Sequence, residues 1–129
     1  MLIIKVFDHL YILASIFFTV YSQLVMRWQV TLAGELPGDS LGKIWFLASL
    51  LVNPWVLSGV VATFLAGVSW MLAMARFEIS YAYPFVGLSF ILIMILSGLF
   101  FGESIGPFKI LGTILVVLGV AVTTFDKAN

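Results

Sequence analysis

Residues 10–30 read LYILASIFFTVYSQLVMRWQV. A helix needs about 20 mainly apolar residues to cross a bilayer, and this run supplies them with a single charge, Arg27. Its apolar residues are continuous rather than alternating, which is the pattern of a spanning helix and not of a barrel strand. Thr19, Ser22 and Gln23 interrupt it where a cleavable leader is purely apolar, so the segment is expected to stay as a span.

The rest of the chain has the same character. Of its 129 residues, 63% are hydrophobic and 9% are charged, against about 45–50% and about 25% in soluble domains. Too few polar residues remain to cover a water-facing surface, which excludes a soluble globular domain. Six Lys and Arg balance six Asp and Glu, so no basic face is available to attract nucleic acid. There is no cysteine, and His9 is the single histidine; no disulfide, metal site or cofactor is expected. No phosphate-cradling glycine loop, zinc-binding His pair or intramembrane carboxylate pair occurs, so the chain is not expected to be an enzyme.

The expected fold class is an all-α membrane protein. One domain over residues 1–129 forms a four-transmembrane-helix bundle, with helices at about 9–30, 54–75, 80–101 and 108–125. A short interfacial segment at about 41–52 precedes helix two, because the apolar run there is too short to span and Asn53-Pro54 stops it. Trp45 and Trp55 suit headgroup depth. Pro54 suits the first turn of helix two. Gly98 and Gly102 form a small-xxx-small pair that fits close helix approach, and Gly112 and Gly119 share a face of helix four that fits a seam between subunits.

Loop Lys and Arg normally set orientation. Here Lys5, Arg76 and Lys127 fall on one side and Arg27, Lys43 and Lys109 on the other. A tie leaves two readings open: a partner settles the orientation, or the chain inserts both ways and pairs antiparallel with itself. Arg76 and Glu78 are boundary charges placed to pair with each other, and Glu103 reads as a solvated turn residue.

Polar side chains are costly in hydrocarbon. On helix one, Ser15, Thr19, Ser22, Gln23 and Arg27 fall within roughly 140° of arc. The stripe either hydrogen-bonds the bundle together or lines a path for a polar or anionic substrate group. Arg27 either snorkels to headgroups or grips a phosphate with its forked donors. On helix three, Tyr83 and Ser89 offer hydroxyls at shallow and middle depth, and Pro84 kinks or starts the helix.

Three motifs, in order, resemble the small multidrug resistance branch of the drug/metabolite transporter superfamily: Ser22-Gln23-Leu24-Val25-Met26-Arg27; Ser80-Tyr81-Ala82-Tyr83-Pro84 followed by Gly87-Leu88-Ser89-Phe90; and Gly102-Glu103 followed by Gly112 and Gly119. Cation-exporting members of that family carry a membrane-embedded glutamate eight residues before the basic residue of helix one. Thr19 stands at that position here, and a threonine cannot exchange a proton for a cation. The motifs are more similar to the flippase subunits that move aminoarabinose-phosphoundecaprenol.

The resemblance therefore implies a transporter of an undecaprenyl-phosphate-linked sugar, a polyprenyl-phosphate glycolipid, across the bacterial inner membrane, with the chain multi-pass among membrane lipids. Thr19, Ser22, Gln23, Arg27, Tyr83 and Ser89 are the candidate substrate-binding residues, with Arg27 on the phosphate. Four helices are too few to enclose a path, so the expected working unit is a homodimer, antiparallel if topology is dual, or a heterodimer with a related subunit. Gly112 and Gly119 are the candidate interface. The alternative is an exporter of small cations, metabolites or drugs, coupled through Glu78 or Glu103.

Overall fold

A computed structural model describes residues 2–123 and residue 125 of the chain, with side chains described from residue 6 onward. Lys127 of the charge tie lies outside the described residues, and so does the side chain of Lys5. All regular structure among the described residues is helical, in the order α1 (Leu2–Ala33), α2 (Ser40–Leu51), α3 (Pro54–Met74), α4 (Ile79–Phe101) and α5 (Pro107–Thr123).

Helix α1 begins seven residues before His9, because nothing between Leu2 and Asp8 breaks a helix. It ends at Gly34, whose φ of +94° leaves the helical region. Asp39 caps α2 by accepting the Gly42 N–H at 2.9 Å. Asn53 caps α3 by accepting the Trp55 N–H at 2.8 Å, with Pro54 in the first turn. Helix α4 runs through Pro84 and stops at Gly102 (φ +65°).

Three helical segments are long and apolar enough to cross a membrane: Val6–Ala33, Pro54–Met74 and Ile79–Phe101. Helix α5 is apolar but has 17 residues, about 25 Å at 1.5 Å per residue. That falls short of the roughly 30 Å hydrocarbon core, so among the described residues three helices are long enough to span where the sequence suggests four. Helix α2 is shorter still and buries none of its residues.

The dominant packing is α1 on α3. The α3 face consists of Val56, Gly59, Ala62, Ala66, Ser69 and Ala73, all buried and spaced three or four apart. Small side chains at this spacing let two helices approach closely, which is how helices associate where lipid offers no hydrophobic drive. A β-carbon on Gly59 would already stand 3.6 Å from the Ser22 carbonyl. The core cluster sits where α3 and α4 join. Ile12, Ile16 and Val20 of α1 meet Ala73, Phe77 and Ala82 there, with Tyr81 and Phe85 packed against them. Beyond that end, α3 and α4 pack against α1 rather than against each other.

The Gly98–Gly102 pair is not a helix–helix seam. Gly98 makes room for Ile105 of the α4–α5 loop, whose Cδ1 would lie 2.8 Å from an added β-carbon, and Gly102 ends the helix.

Ala73 and Ala82 are fully buried in the core cluster. Ala82→Leu is expected to cost about 1–3 kcal/mol through overpacking, read as a lower unfolding midpoint in detergent. Ala48→Leu on exposed α2 is expected to leave the midpoint unchanged.

Candidate functional site

The polar stripe of α1 divides in two. Ser15 and Ser22 are buried against α3. Ser15 Oγ donates to the Ala66 carbonyl at 3.0 Å. Ser22 Oγ lies 2.6 Å from Thr63 Oγ1. Thr63 spends its one hydroxyl proton on the Gly59 carbonyl at 3.0 Å, so Ser22 is the donor of the pair. These two serines join helices.

Thr19, Gln23 and Arg27 form the other part. Thr19 is half-buried, and Gln23 and Arg27 are exposed. Gln23 is eleven residues from Ile12, so the two lie within roughly 20° of one another around the helix. Yet Ile12 is 1% exposed while Gln23 is open. The difference is depth. At Ile12, the joined ends of α3 and α4 close over α1. At Gln23, Ser22 faces α3 on one side while Arg27 reaches the α4–α5 loop on the other. Gln23 therefore lies open on the stretch of α1 between its α3-facing and α4-facing sides, with half-buried Thr19 one turn away.

Arg27 stands one turn beyond Gln23, toward the α4–α5 loop. Its Nε donates to Glu103 Oε2 at 3.0 Å, and its side chain remains 55% exposed. Around it, Trp28 and Trp55 meet edge to face at 5.2 Å. Asn53 Nδ2 donates to Gln29 Oε1 at 3.1 Å, tying buried Gln29 to the start of α3. Two tryptophans beside an exposed arginine fit headgroup depth.

Tyr83 and Ser89 are not brought to this place. Tyr83 is exposed near the α3–α4 turn, where its ring meets Trp70 at 5.8 Å. Ser89 is buried and donates to the Val86 carbonyl of its own helix at 2.6 Å. Along α4 these residues lie 18 and 12 positions before Phe101, about 27 and 18 Å from the Arg27 end. Gly112 and Gly119 face open space, with no atom within 4 Å of an added β-carbon. The side of α5 that packs on α4 is instead Thr113 and Val120, the buried residues of that helix.

Three further residues belong to the site or its frame. Glu103 is the partner of Arg27. Its signal in the sequence was its position on the same side of the membrane as an unpaired arginine. Asp8 pairs with Arg76 at 3.6 Å, so Arg76 does not pair with Glu78; α1 starts early enough to bring Asp8 there. Beside it, His9 Nε2 lies 3.0 Å from Tyr81 Oη, and the His9 ring packs on Phe77 at 4.7 Å.

The sequence pattern of the EamA-like transporter family matches residues 11–125. A probable 4-amino-4-deoxy-L-arabinose-phosphoundecaprenol flippase subunit ArnF from Proteus mirabilis is 29% identical over 119 residues, covering 87% of each chain. The ArnF of Aeromonas hydrophila is 30% identical over 122 residues, 93% of this chain and 81% of that one. A probable flippase subunit ArnE from Pseudomonas paraeruginosa is 32% identical over 74 residues, 57% of this chain and 64% of that one. No solved structure matches the chain.

The Ser22–Thr63 hydrogen bond is expected to show a coupling energy of about 0.6 kcal/mol in a double-mutant cycle of Ser22→Ala and Thr63→Ala, measured by unfolding in mixed micelles. A coupling near zero would remove Ser22 from the α1–α3 joint.

Proposed function

The chain belongs to the EamA-like transporter family, and on that premise we propose that it is a subunit of a flippase moving a polyprenyl-phosphate-linked sugar across the bacterial inner membrane. Arg27 binds the phosphate. Gln23 and Thr19 receive the sugar in a crevice between α3 and α4, and Ser22 holds its wall in place through α3. Exposed Tyr83 belongs to a wall that a second subunit completes. The single observation that carries this reading is the exposed guanidinium of Arg27 at the end of a polar stripe whose Gln23 is also exposed. A planar fork of donors at headgroup depth suits a phosphate. The names of the relatives point to the same chemistry.

In this reading α5 is the fourth span, matched by local thinning of the bilayer, the whole chain is one domain, and α2 lies along the interface. The uncovered glycine face of α5 is where a second subunit packs, bringing the crevices of two chains together. Relatives of both the ArnE and the ArnF name match this chain, which favours a heterodimer with a related subunit. Cation export coupled through Glu103 is disfavoured by the same geometry, because Arg27 already neutralises that carboxylate.

The test is flipping of a labelled polyprenyl-phosphate sugar in proteoliposomes, with the chain alone and with a related subunit. Arg27→Ala is expected to lower the rate roughly tenfold or more, the value of a charge-assisted hydrogen bond lost. Rates like those of the unsubstituted protein would remove Arg27 from the phosphate. Proton release on adding a quaternary ammonium ion would instead favour cation export.

A further inference from the structure

Helix α4 has an open side on each flank. One is the side of exposed Gln23. The other is apolar and lies along the seam between α1 and α4. Near the Arg27 end, a groove of about 310 Å³ is lined by Leu24, Trp28 and Phe100 among others. A second groove of about 400 Å³ continues from it, lined by Leu13, Phe17, Leu24, Leu92 and Leu96 among others. Leu24 lines both grooves, so they form one trough.

The length of this trough bears on its occupant. From Leu13 to Trp28 it follows fifteen residues of α1, about 22 Å at 1.5 Å per residue. One leaflet of a bilayer offers about 15 Å, half of the 30 Å hydrocarbon core. An ordinary acyl chain entering at the headgroups ends near the midplane, whereas this trough continues past it. A chain that fills it is longer than the acyl chains of bulk lipid, and it enters beside a cation. Arg27 lines neither groove, but it lies one turn from Leu24 and next to Trp28, beside the trough's headgroup end. An anionic headgroup complements it there, and at present Glu103 takes that role with an oxygen 3.0 Å from Nε.

We propose that the trough on the α1–α4 seam is the seat of a long isoprenoid chain whose phosphate takes Arg27 from Glu103. This rests on the phosphate role of Arg27 argued above and adds a place for the chain and a role for the loop acid. Glu103 acts as a stand-in anion: it keeps Arg27 extended toward the trough head while the seat is empty. It leaves with the α4–α5 loop when a phosphate arrives. Carboxylate and phosphate compete for one fork of donors, so the lipid need not desolvate an unpaired guanidinium, and weakly bound anions do not displace the acid. The sugar side and the chain side of the ligand then straddle the end of α4.

The experiment measures binding of undecaprenyl phosphate and of the short dimethylallyl phosphate to the protein in nanodiscs, by native mass spectrometry. Leu96→Trp fills the trough and leaves its head untouched. It is expected to weaken undecaprenyl phosphate roughly fivefold or more while leaving dimethylallyl phosphate unchanged, whose single isoprene unit ends short of Leu96. Leu92→Trp carries the same test from a second position, should the first variant not fold. Glu103→Gln is expected to tighten both ligands roughly threefold, and Arg27→Gln to weaken both roughly tenfold.

If Arg27→Gln weakens binding but neither tryptophan does, the chain seat is wrong and the phosphate role stands. If Glu103→Gln fails to tighten either ligand, displacement of the acid is wrong. If Arg27→Gln changes nothing, the phosphate role itself fails, and with it this proposal. Equal loss of the long and short ligands in the tryptophan variants would mark general distortion and overturn the chain seat as well.

Discussion

The close contact of α1 with the small-residue face of α3 sets the shape of everything else. In lipid, apolar side chains gain nothing by leaving one greasy surface for another, so helices hold together by tight packing and shared hydrogen bonds. The α3 face from Val56 to Ala73 supplies the first, and the Ser15–Ala66 and Ser22–Thr63 bonds supply the second. Because α1 is committed to α3 along its length, α4 is left a narrower seam on α1, and α5 is packed on α4. Both flanks of α4 are open as a direct result.

Polar pairs fasten the two ends of this arrangement. At one end Arg27 meets Glu103 and Gln29 meets Asn53; at the other, Asp8 meets Arg76 and His9 meets Tyr81. Exposed ion pairs contribute little to stability, so the Arg27–Glu103 contact is better understood as a position than as a fastening. It holds a cation in reach of an anionic ligand, at a point where one bond exchanges for another. The buried Gln29–Asn53 bond is of the other kind: it fixes the start of α3 relative to α1.

Much of the helical layout was legible in the sequence, because it follows from local chemistry. Asn53-Pro54 stops one helix and starts the next, and Gly102 ends α4. The early start of α1 was missed because Lys5 and Asp8 read as charges at the helix mouth, although the residues around them are apolar. The small-residue face of α3 was present as a spacing of three and four, and it passed unread beside the more conspicuous polar residues. The stripe on α1 was legible as a stripe, but its division was not. Ser22 and Gln23 are neighbours in sequence, and one is buried while the other is open, which depends on where α3 and α4 stand.

Composition and periodicity by themselves determined that this chain is helical, lives in lipid and carries one polar face on its first helix. Those properties depend on residue type and on the fixed turn of the α-helix, which are the same in any fold. The tertiary structure alone decided that Glu103 faces Arg27 across 76 positions of sequence, that Arg76 turns to Asp8, and that Tyr83 and Ser89 lie far from the arginine within one chain. Such pairings depend on how far each helix extends and which face it buries, and those are settled by close packing between segments distant in sequence.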